Sequence, residues 1–247
     1  MRLAMVYERG LEGDVAKLLN RIARAAAVHV AAGREEQAAK VVDAYEAGFL
    51  RTFNARLETA AMASAQLVIE ELTGEKALPG VFETKFLSLF EIAQNAVRAW
   101  LNSYGAAKVV DILETTRRRI RKSLLRGHEQ NEPPRVLAKR IREETGGEIG
   151  RRRAVTIART ETGVAASVGA DAAADATGLQ LDKVWNSTHD ARVRPDHAKV
   201  DGQRVRMDHS FTVGGVAMRY PRDPKGPANQ VINCRCVAIY SPRLPRR

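Results

Sequence analysis

Apolar residues recur at helical spacing along the chain up to about Ala176, and at two-residue spacing only beyond Leu181. Over residues 11–31, Val15, Leu18, Leu19, Ile22 and Ala26 fall on one stripe, with Asp14 a candidate N-cap and Gly33 a stop. Residues 35–73 read as one long helix or two shorter ones ending at Thr73-Gly74, and Leu78-Pro79-Gly80 breaks the chain. A further helix is predicted from Val81 to about Tyr104, with Phe82, Phe86, Leu89, Phe90, Ala93 and Val97 on one face. Gly105 punctuates it, and another helix runs from about Ala106 to Leu125, ending at Gly127-His128. Pro133-Pro134 opens a helix over 134–145, because a first-turn proline lacks only an N–H that has no helical partner. Val136, Leu137 and Ile141 face inward on it, and Gly146-Gly147 ends it. The last predicted helix spans about 151–176, with Gly178 as its cap. Its alanine content implies close packing against a neighbour.

The period then changes. Lys183–Thr188 reads as a strand, Arg204–Met207 alternates, and Gly214-Gly215 between Ser210–Val213 and Val216–Tyr220 is a hairpin signal. Val237–Tyr240 is a candidate last strand, and Ser241–Arg247 an extended or mobile tail. The pattern predicts a mostly α, α+β protein: a helical domain over 1–130, then two helices and a small irregular β-rich module within 131–247.

Composition narrows the class. At 247 residues with 45% hydrophobic and 28% charged content, the chain reads as a soluble folded protein of one or two domains. No apolar run is long enough to span a membrane, and the start lacks a secretory pattern. Two cysteines make no disulfide framework, which points to a reducing cytoplasm as the place of work or assembly. The net charge of +11 is uneven: −2 over 1–116, +9 over 117–159, −3 over 160–184 and +7 over 185–247. Arg117, Arg118, Arg119, Arg121 and Lys122, with Arg151, Arg152 and Arg153, are candidate nucleic-acid contacts. Without interleaved aromatics they could meet only phosphates, independently of sequence; a solvated helix face is the alternative.

The candidate chemistry gathers in the last quarter, which holds both cysteines and three of the five histidines, His189, His197 and His209. The ordered motifs are Ile157–Thr162, Trp185-x-Ser187, Asp190-x-Arg192-x-Arg194-x-x-His197, Asp201-Gly202, Tyr220-Pro221-x-Asp223-Pro224 and Asn233-Cys234-Arg235-Cys236. This set resembles the phage Mu F-like minor head protein family, over roughly residues 130–240. The resemblance implies a non-enzymatic minor head protein of a tailed phage, incorporated during procapsid assembly near the portal. It further implies a virion location in the head interior or at the portal vertex, after assembly in the host cytoplasm. Its partners would be the portal protein, the major capsid or scaffolding protein and packaged double-stranded DNA, with no membrane role.

Many relatives carry Cys-x-x-Cys before the Asp-Gly and a histidine shortly before Asn-Cys-Arg-Cys. Here Arg194-x-x-His197 stands in the first place and Val231 in the second. The expected arrangement is therefore a polar lock without a cofactor, made of Trp185, Asp190, Arg192, Arg194, His197, Asp201, Asp223, Asn233, Cys234, Arg235 and Cys236. Within it, Asp190, Asp201 and Asp223 would accept bonds from Arg192, Arg194 and Arg235. Zinc held by His197, His209, Cys234 and Cys236 is the alternative. Cys234 and Cys236 are not expected to bond each other, because ring closure in Cys-x-Cys is strained. Two further function classes stay open: a small nuclease or toxin-like enzyme using His189, Arg192 and His197, and a sequence-independent DNA-binding protein. An ADP-ribosyltransferase role for Arg159 and Glu161 is disfavoured, since the two would not share a helix face.

Overall fold

The computed structural model describes residues 2–74 and 84–243. The break expected at Leu78-Pro79-Gly80, the start at Val81 and the last four residues of the tail lie outside them. The order is α1 (Arg2–Ala31), α2 (Glu35–Lys40), a 3-10 segment (Val41–Tyr45), α3 (Glu46–Thr73), α4 (Thr84–Glu129), α5 (Pro134–Thr145) and α6 (Gly147–Ala176). There follow β1 (Leu181–Asn186), α7 (Pro195–Lys199), β2 (Arg204–Arg206), β3 (Phe211–Val213), β4 (Val216–Met218), α8 (Ala228–Val231) and β5 (Val237–Pro242). The protein is thus mostly α with a small β module.

Four helix boundaries differ from the sequence reading, among them the start of α6, which lies at Gly147 and not near residue 151. The helix expected from residue 11 begins at Arg2 and runs through Gly10 and Gly13. Asp14 is therefore interior to α1, where its carboxylate accepts Arg56 Nε at 2.8 Å rather than capping a terminus. The two helices expected to meet at Gly105 are the single α4, which also continues through Gly127. These glycines are places of close approach and not stops. A Cβ at Gly105 would sit 1.9 Å from Asn54 Oδ1, and one at Gly127 would sit 2.6 Å from Leu137 Cδ1.

The chain forms two compact units, and neither is a continuous half. One gathers Met5–Arg56 and Trp100–Arg159; its core holds Leu11, Val15, Leu19, Ile22, Phe53, Ile120 and Ile141, all essentially inaccessible. The other gathers Met1–Ala4, Leu57–Ala99 and Thr160–Arg247. There the alanine-rich α6 packs on α3 as expected. The approach is closest at Gly169, where a Cβ would lie 1.9 Å from the Ala61 carbonyl oxygen.

In this second unit β1 is the middle strand of an antiparallel sheet ordered β2-β1-β5. Lys183 pairs with Val205 on one side and Tyr240 on the other. Ala174 of α6, Leu181 and Tyr240 form a small cluster under the sheet, flanked by Val68, Leu72 and Met207. The hairpin β3–β4 turns at Gly214-Gly215 with Val213 opposite Val216, both glycines having positive φ. The tail begins later than expected. Ser241 and Pro242 extend β5, and Arg243 donates to Asp182 Oδ1.

The backbone approach at Gly169 yields a prediction. Gly169→Ala gains helix propensity, about 1 kcal/mol. It also forces a methyl into a carbonyl that cannot yield, so the net effect is a loss of about 2 kcal/mol. Gly48→Ala, in an exposed turn of α3 with open space around it, should gain about 0.5–1 kcal/mol. Urea denaturation of the two variants reads the contrast, and equal effects would remove the close-approach argument.

Candidate functional site

After β1 the chain makes few ladder bonds, and polar side chains take over the work of fixing it. Asp201 follows α7 and turns back onto β1. Its Oδ1 accepts the Ser187 N–H at 2.7 Å, and its Oδ2 lies 2.7 Å from His189 Nε2. Gly202, at φ +74, gives its N–H to the Trp185 carbonyl at 2.8 Å. The Ser187 N–H, and then His189, hold the Asp201 carboxyl below the usual range. Asp190 Oδ1 accepts the Arg192 N–H at 2.9 Å, a local Asx turn, and the carboxylate takes both terminal nitrogens of Arg235 in a bidentate pair. Arg235 is the main reason that the Asp190 carboxyl is held down to about 2.

The expected partners are therefore partly redistributed. Asp190 does take Arg235. Asp201 takes His189 and a backbone N–H instead of an arginine. Asp223 accepts the backbone N–H groups of Arg219 at 2.8 Å and Lys225 at 2.9 Å, also without an arginine side chain. Arg194 donates to the Ile232 carbonyl, and the Arg192 guanidinium is mostly exposed, 3.9 Å from Asp190. Asn233, at φ +57, gives its N–H to Thr160 Oγ1 of α6 at 3.1 Å, which ties the C-terminal segment to the helix.

The centre of the module is buried. His197 on α7, Cys234 and Cys236 place one ligand-type atom each within 4.8 Å of one another. His197 Nδ1 is 3.6 Å from Cys234 Sγ and 3.4 Å from Cys236 Sγ. Its Nε2 lies 2.9 Å from Gln230 Oε1, and Gln230 Nε2 donates to Asp196 Oδ2 at 2.9 Å. With Asp196 fixing the amide, Nε2 carries hydrogen and Nδ1 is turned to the sulfurs. The Trp185 ring meets the imidazole edge-on at 5.3 Å and Phe211 at 5.3 Å. The Cys234 thiol is pushed down by the hydrogen bond from Cys236, then by His197 and the Arg222 charge, against burial. Cys236 is pushed up by that same hydrogen bond and by burial. The two sulfurs and Nδ1 share one buried site, and both cysteines are free, as expected.

These donors bear on the zinc alternative. They supply three of the four positions that close a structural zinc site, with Gln230 orienting the histidine as an outer partner would. His209 does not join them. It is exposed, 2.8 Å from Asp208 Oδ1.

Sequence reasoning missed four participants. Gln230 sits one residue before Val231, where a histidine was sought, and does the polar work from there. Arg222 is the unassigned residue between Pro221 and Asp223; buried at φ +66, it reaches the Cys234 carbonyl at 3.5 Å. It fits because Gly163 has no side chain: a Cβ there would lie 2.5 Å from Arg222 Nη1. Thr160 stood in a quoted motif without a role. Lys183 is fully buried on β1, its Nζ unbonded and 5.7 Å from the Phe211 ring centre. Burial pushes its ammonium down, opposed mainly by Asp171. Period-two alternation with Leu181 and Trp185 was the available signal.

The basic clusters belong to the other unit. Arg117 is paired with Asp43 and Glu114, and Arg151 and Arg152 with Glu148. Arg153 turns inward, donating to Thr116 Oγ1 and the Ile112 carbonyl at 2.7 Å each. Burial, then Arg119 and Arg118, hold its guanidinium down to about 10. Arg118, Arg119, Arg121 and Lys122 are exposed.

Residues 114–239, half of the chain, match the phage Mu protein F like family. The chain belongs to this family. A segment is 35% identical over 69 residues to the minor head protein GP7 of Bacillus phage SPP1, covering 25% of this chain and 20% of that protein. Another is 37% identical over 106 residues to the NAD(+)--arginine ADP-ribosyltransferase EFV of Enterococcus faecalis, covering 42% of this chain and 21% of the enzyme. The chain thus spans about a fifth of the length of these relatives. No solved structure matches it. The Mu F-like segment begins within α4 and contains the Asp190, Asp201, Asp223 and His197 contacts of the C-terminal module.

The Asp190–Arg235 brace makes the Mu F-like module acid-sensitive. A carboxyl with a depressed folded pKa stabilises above its unfolded value, about 4, and that contribution is lost as pH falls toward about 2. Melting of the module should drop over this window, and Asp190→Asn should flatten the drop. A variant that keeps the wild-type pH profile would discount the brace.

Proposed function

We propose that this Mu F-like chain is a non-enzymatic minor head protein that joins the particle during procapsid assembly near the portal, with its C-terminal module as a rigid docking piece. The family match over residues 114–239 carries this reading. The geometry supports it, because His197 and His189 are engaged with neighbouring side chains, although the Arg192 guanidinium stands mostly exposed. His197 is 1% exposed, enclosed by Trp185, Gln230 and the two sulfurs, where no nucleic-acid phosphate could reach it. Arg159 is bound to Glu8 at 3.0 Å and Glu161 is buried within α6, so this pair is not presented together at the surface. The sulfur–imidazole trio acts in this reading as a lock that needs no metal: two buried sulfurs against the Nδ1 of a histidine that Gln230 holds, with Arg222 on the Cys234 carbonyl.

The test combines particle and chemistry. His197→Ala should cost about 2–3 kcal/mol through the vacated volume and the unpaired Gln230, and should lower incorporation into particles. The wild-type protein should carry no stoichiometric zinc and turn over neither RNA, DNA nor NAD. A folded, incorporated His197→Ala protein that has lost a measurable turnover would overturn the reading. About one zinc per chain would replace the lock with a metal site.

Contact with packaged DNA is the second element of the proposal, and it now has a narrower surface. Arg118, Arg119, Arg121 and Lys122 stand exposed along α4, whereas Arg117, Arg151 and Arg152 are already paired and Arg153 is internal. Replacing those four by Gln should flatten the salt dependence of duplex binding, each lost phosphate contact removing about 0.9 from the log–log slope. An unchanged slope would count against this surface.

A further inference from the structure

The unit formed by Met5–Arg56 and Trp100–Arg159 carries a groove lined by alanine, valine and arginine. It lies between α1 and α5 and has a volume of about 490 Å³. Its lining is Arg24, Ala27, Val28 and Ala31 from α1 with Arg135, Ala138 and Arg142 from α5. The three guanidinium groups meet no carboxylate within salt-bridge distance among the described residues, and no acidic residue lines the groove. This contrasts with Arg56, Arg98, Arg117, Arg126, Arg140 and Arg159, each of which has an acidic partner. Between the arginines the floor is apolar. Val28 is 62% exposed, and on α5 Val136, expected to face inward, is 46% exposed. Lys17 and Arg21 are exposed at positions that extend the Arg24–Val28 face of α1 by helical spacing.

Unpaired cations around an exposed apolar strip call for a ligand with both complements. We propose that this groove receives an acidic amphipathic helix of a partner protein, its aliphatic residues on Val28 and the alanines and its carboxylates on Arg24, Arg135 and Arg142. Two helices with small residues along their shared groove leave the space in which a third helix packs, read by apolar anchors at helical spacing. Bidentate guanidinium–carboxylate pairs at the rim would fix its register. A duplex fits this surface less well. Phosphates gain nothing from an alanine and valine floor, and no aromatic side chain lines the groove to stack a base. The proposal rests on the reading of the chain as one component of an assembly, but its chemistry stands on the groove alone.

The assay uses the purified full chain and needs no particle, so its failure is separable from failure of the head-protein reading. The probes are a labelled 18-residue peptide with Leu at helical spacing and Glu elsewhere, a scramble of the same composition, and a duplex of similar charge. The amphipathic peptide should bind at least tenfold tighter than the scramble and weaken with salt. Combined Arg24→Glu, Arg135→Glu and Arg142→Glu should weaken it at least tenfold. Val28→Asp should do the same without altering duplex binding. All four positions are on helix surfaces; should the triple variant fail to fold, phenylglyoxal labelling of the wild-type chain should show these arginines protected by the amphipathic peptide alone. Equal binding of peptide and scramble, indifference to Val28→Asp, or protection by the duplex instead would overturn the proposal. So would a concentration-dependent dimer abolished by the triple variant, which would assign the groove to a second copy.

Discussion

Carboxylates that accept backbone N–H groups are what the C-terminal module depends on. Between β1 and β5 the chain runs through short strands, two single-turn helices and several left-handed residues, a stretch too irregular for sheet or helix bonding to define. Asp190, Asp201 and Asp223 each take at least one main-chain N–H, from Arg192, Ser187, and Arg219 with Lys225. Each thus ends a turn and aims the next segment. His189 and Arg235 then close two of these carboxylates from the far side, and at Asp190 the second bond is long-range where the first is local. A carboxylate has the lone pairs to do both, which an amide or hydroxyl does less strongly.

The buried trio depends on those turns. His197 can present Nδ1 to two sulfurs only because α7 begins at Pro195 and because Gln230 on α8 holds the other ring nitrogen. The two cysteines arrive by a different route, carried in from the Asn233 turn that Thr160 secures to α6. Arg222 supplies the nearby positive charge, and its place is set by a glycine on that same helix. The family motif thus spans α6 as well as the loops, and the helical residues in it have the task of receiving the loop segment.

Legibility in the sequence followed the physics of each part. Amphipathic and alanine-rich stretches declared themselves as helices, because one face must be buried and its period is visible. The hairpin declared itself through Gly214-Gly215. Boundaries went astray at Gly10, Gly105 and Gly127. A glycine that stops a helix and one that lets another chain approach look the same in one dimension. At the site, the identities of Asp190, Arg235, His197 and the cysteines were readable, while the pairings were not. Asp201 to His189 and Asp223 to backbone depend on which loop passes which, and a backbone donor leaves no trace in the sequence. Gln230 and Arg222 were overlooked because a neighbouring position seemed the meaningful one. Likewise, the run of arginines at 117–119 and 151–153 reads as one kind of feature, but carboxylates at 43, 114 and 148 and the turn of Arg153 into the interior divide it into several.

The interleaving of the two units along the chain also sets an order of events during synthesis. The unit built from residues 5–56 and 100–159 has all of its parts once the ribosome has passed residue 159. The other does not, because its compact unit joins residues 57–99 to 160–247. Until those emerge, the unit that buries Leu57, Ile69, Phe86, Leu89 and Val97 is incomplete. Non-local closure of this kind is slow, and uncovered helical faces of this kind are what chaperones bind and what aggregates form from. The last third of the chain therefore decides more than its own shape: its arrival ends the interval in which the nascent protein is sticky.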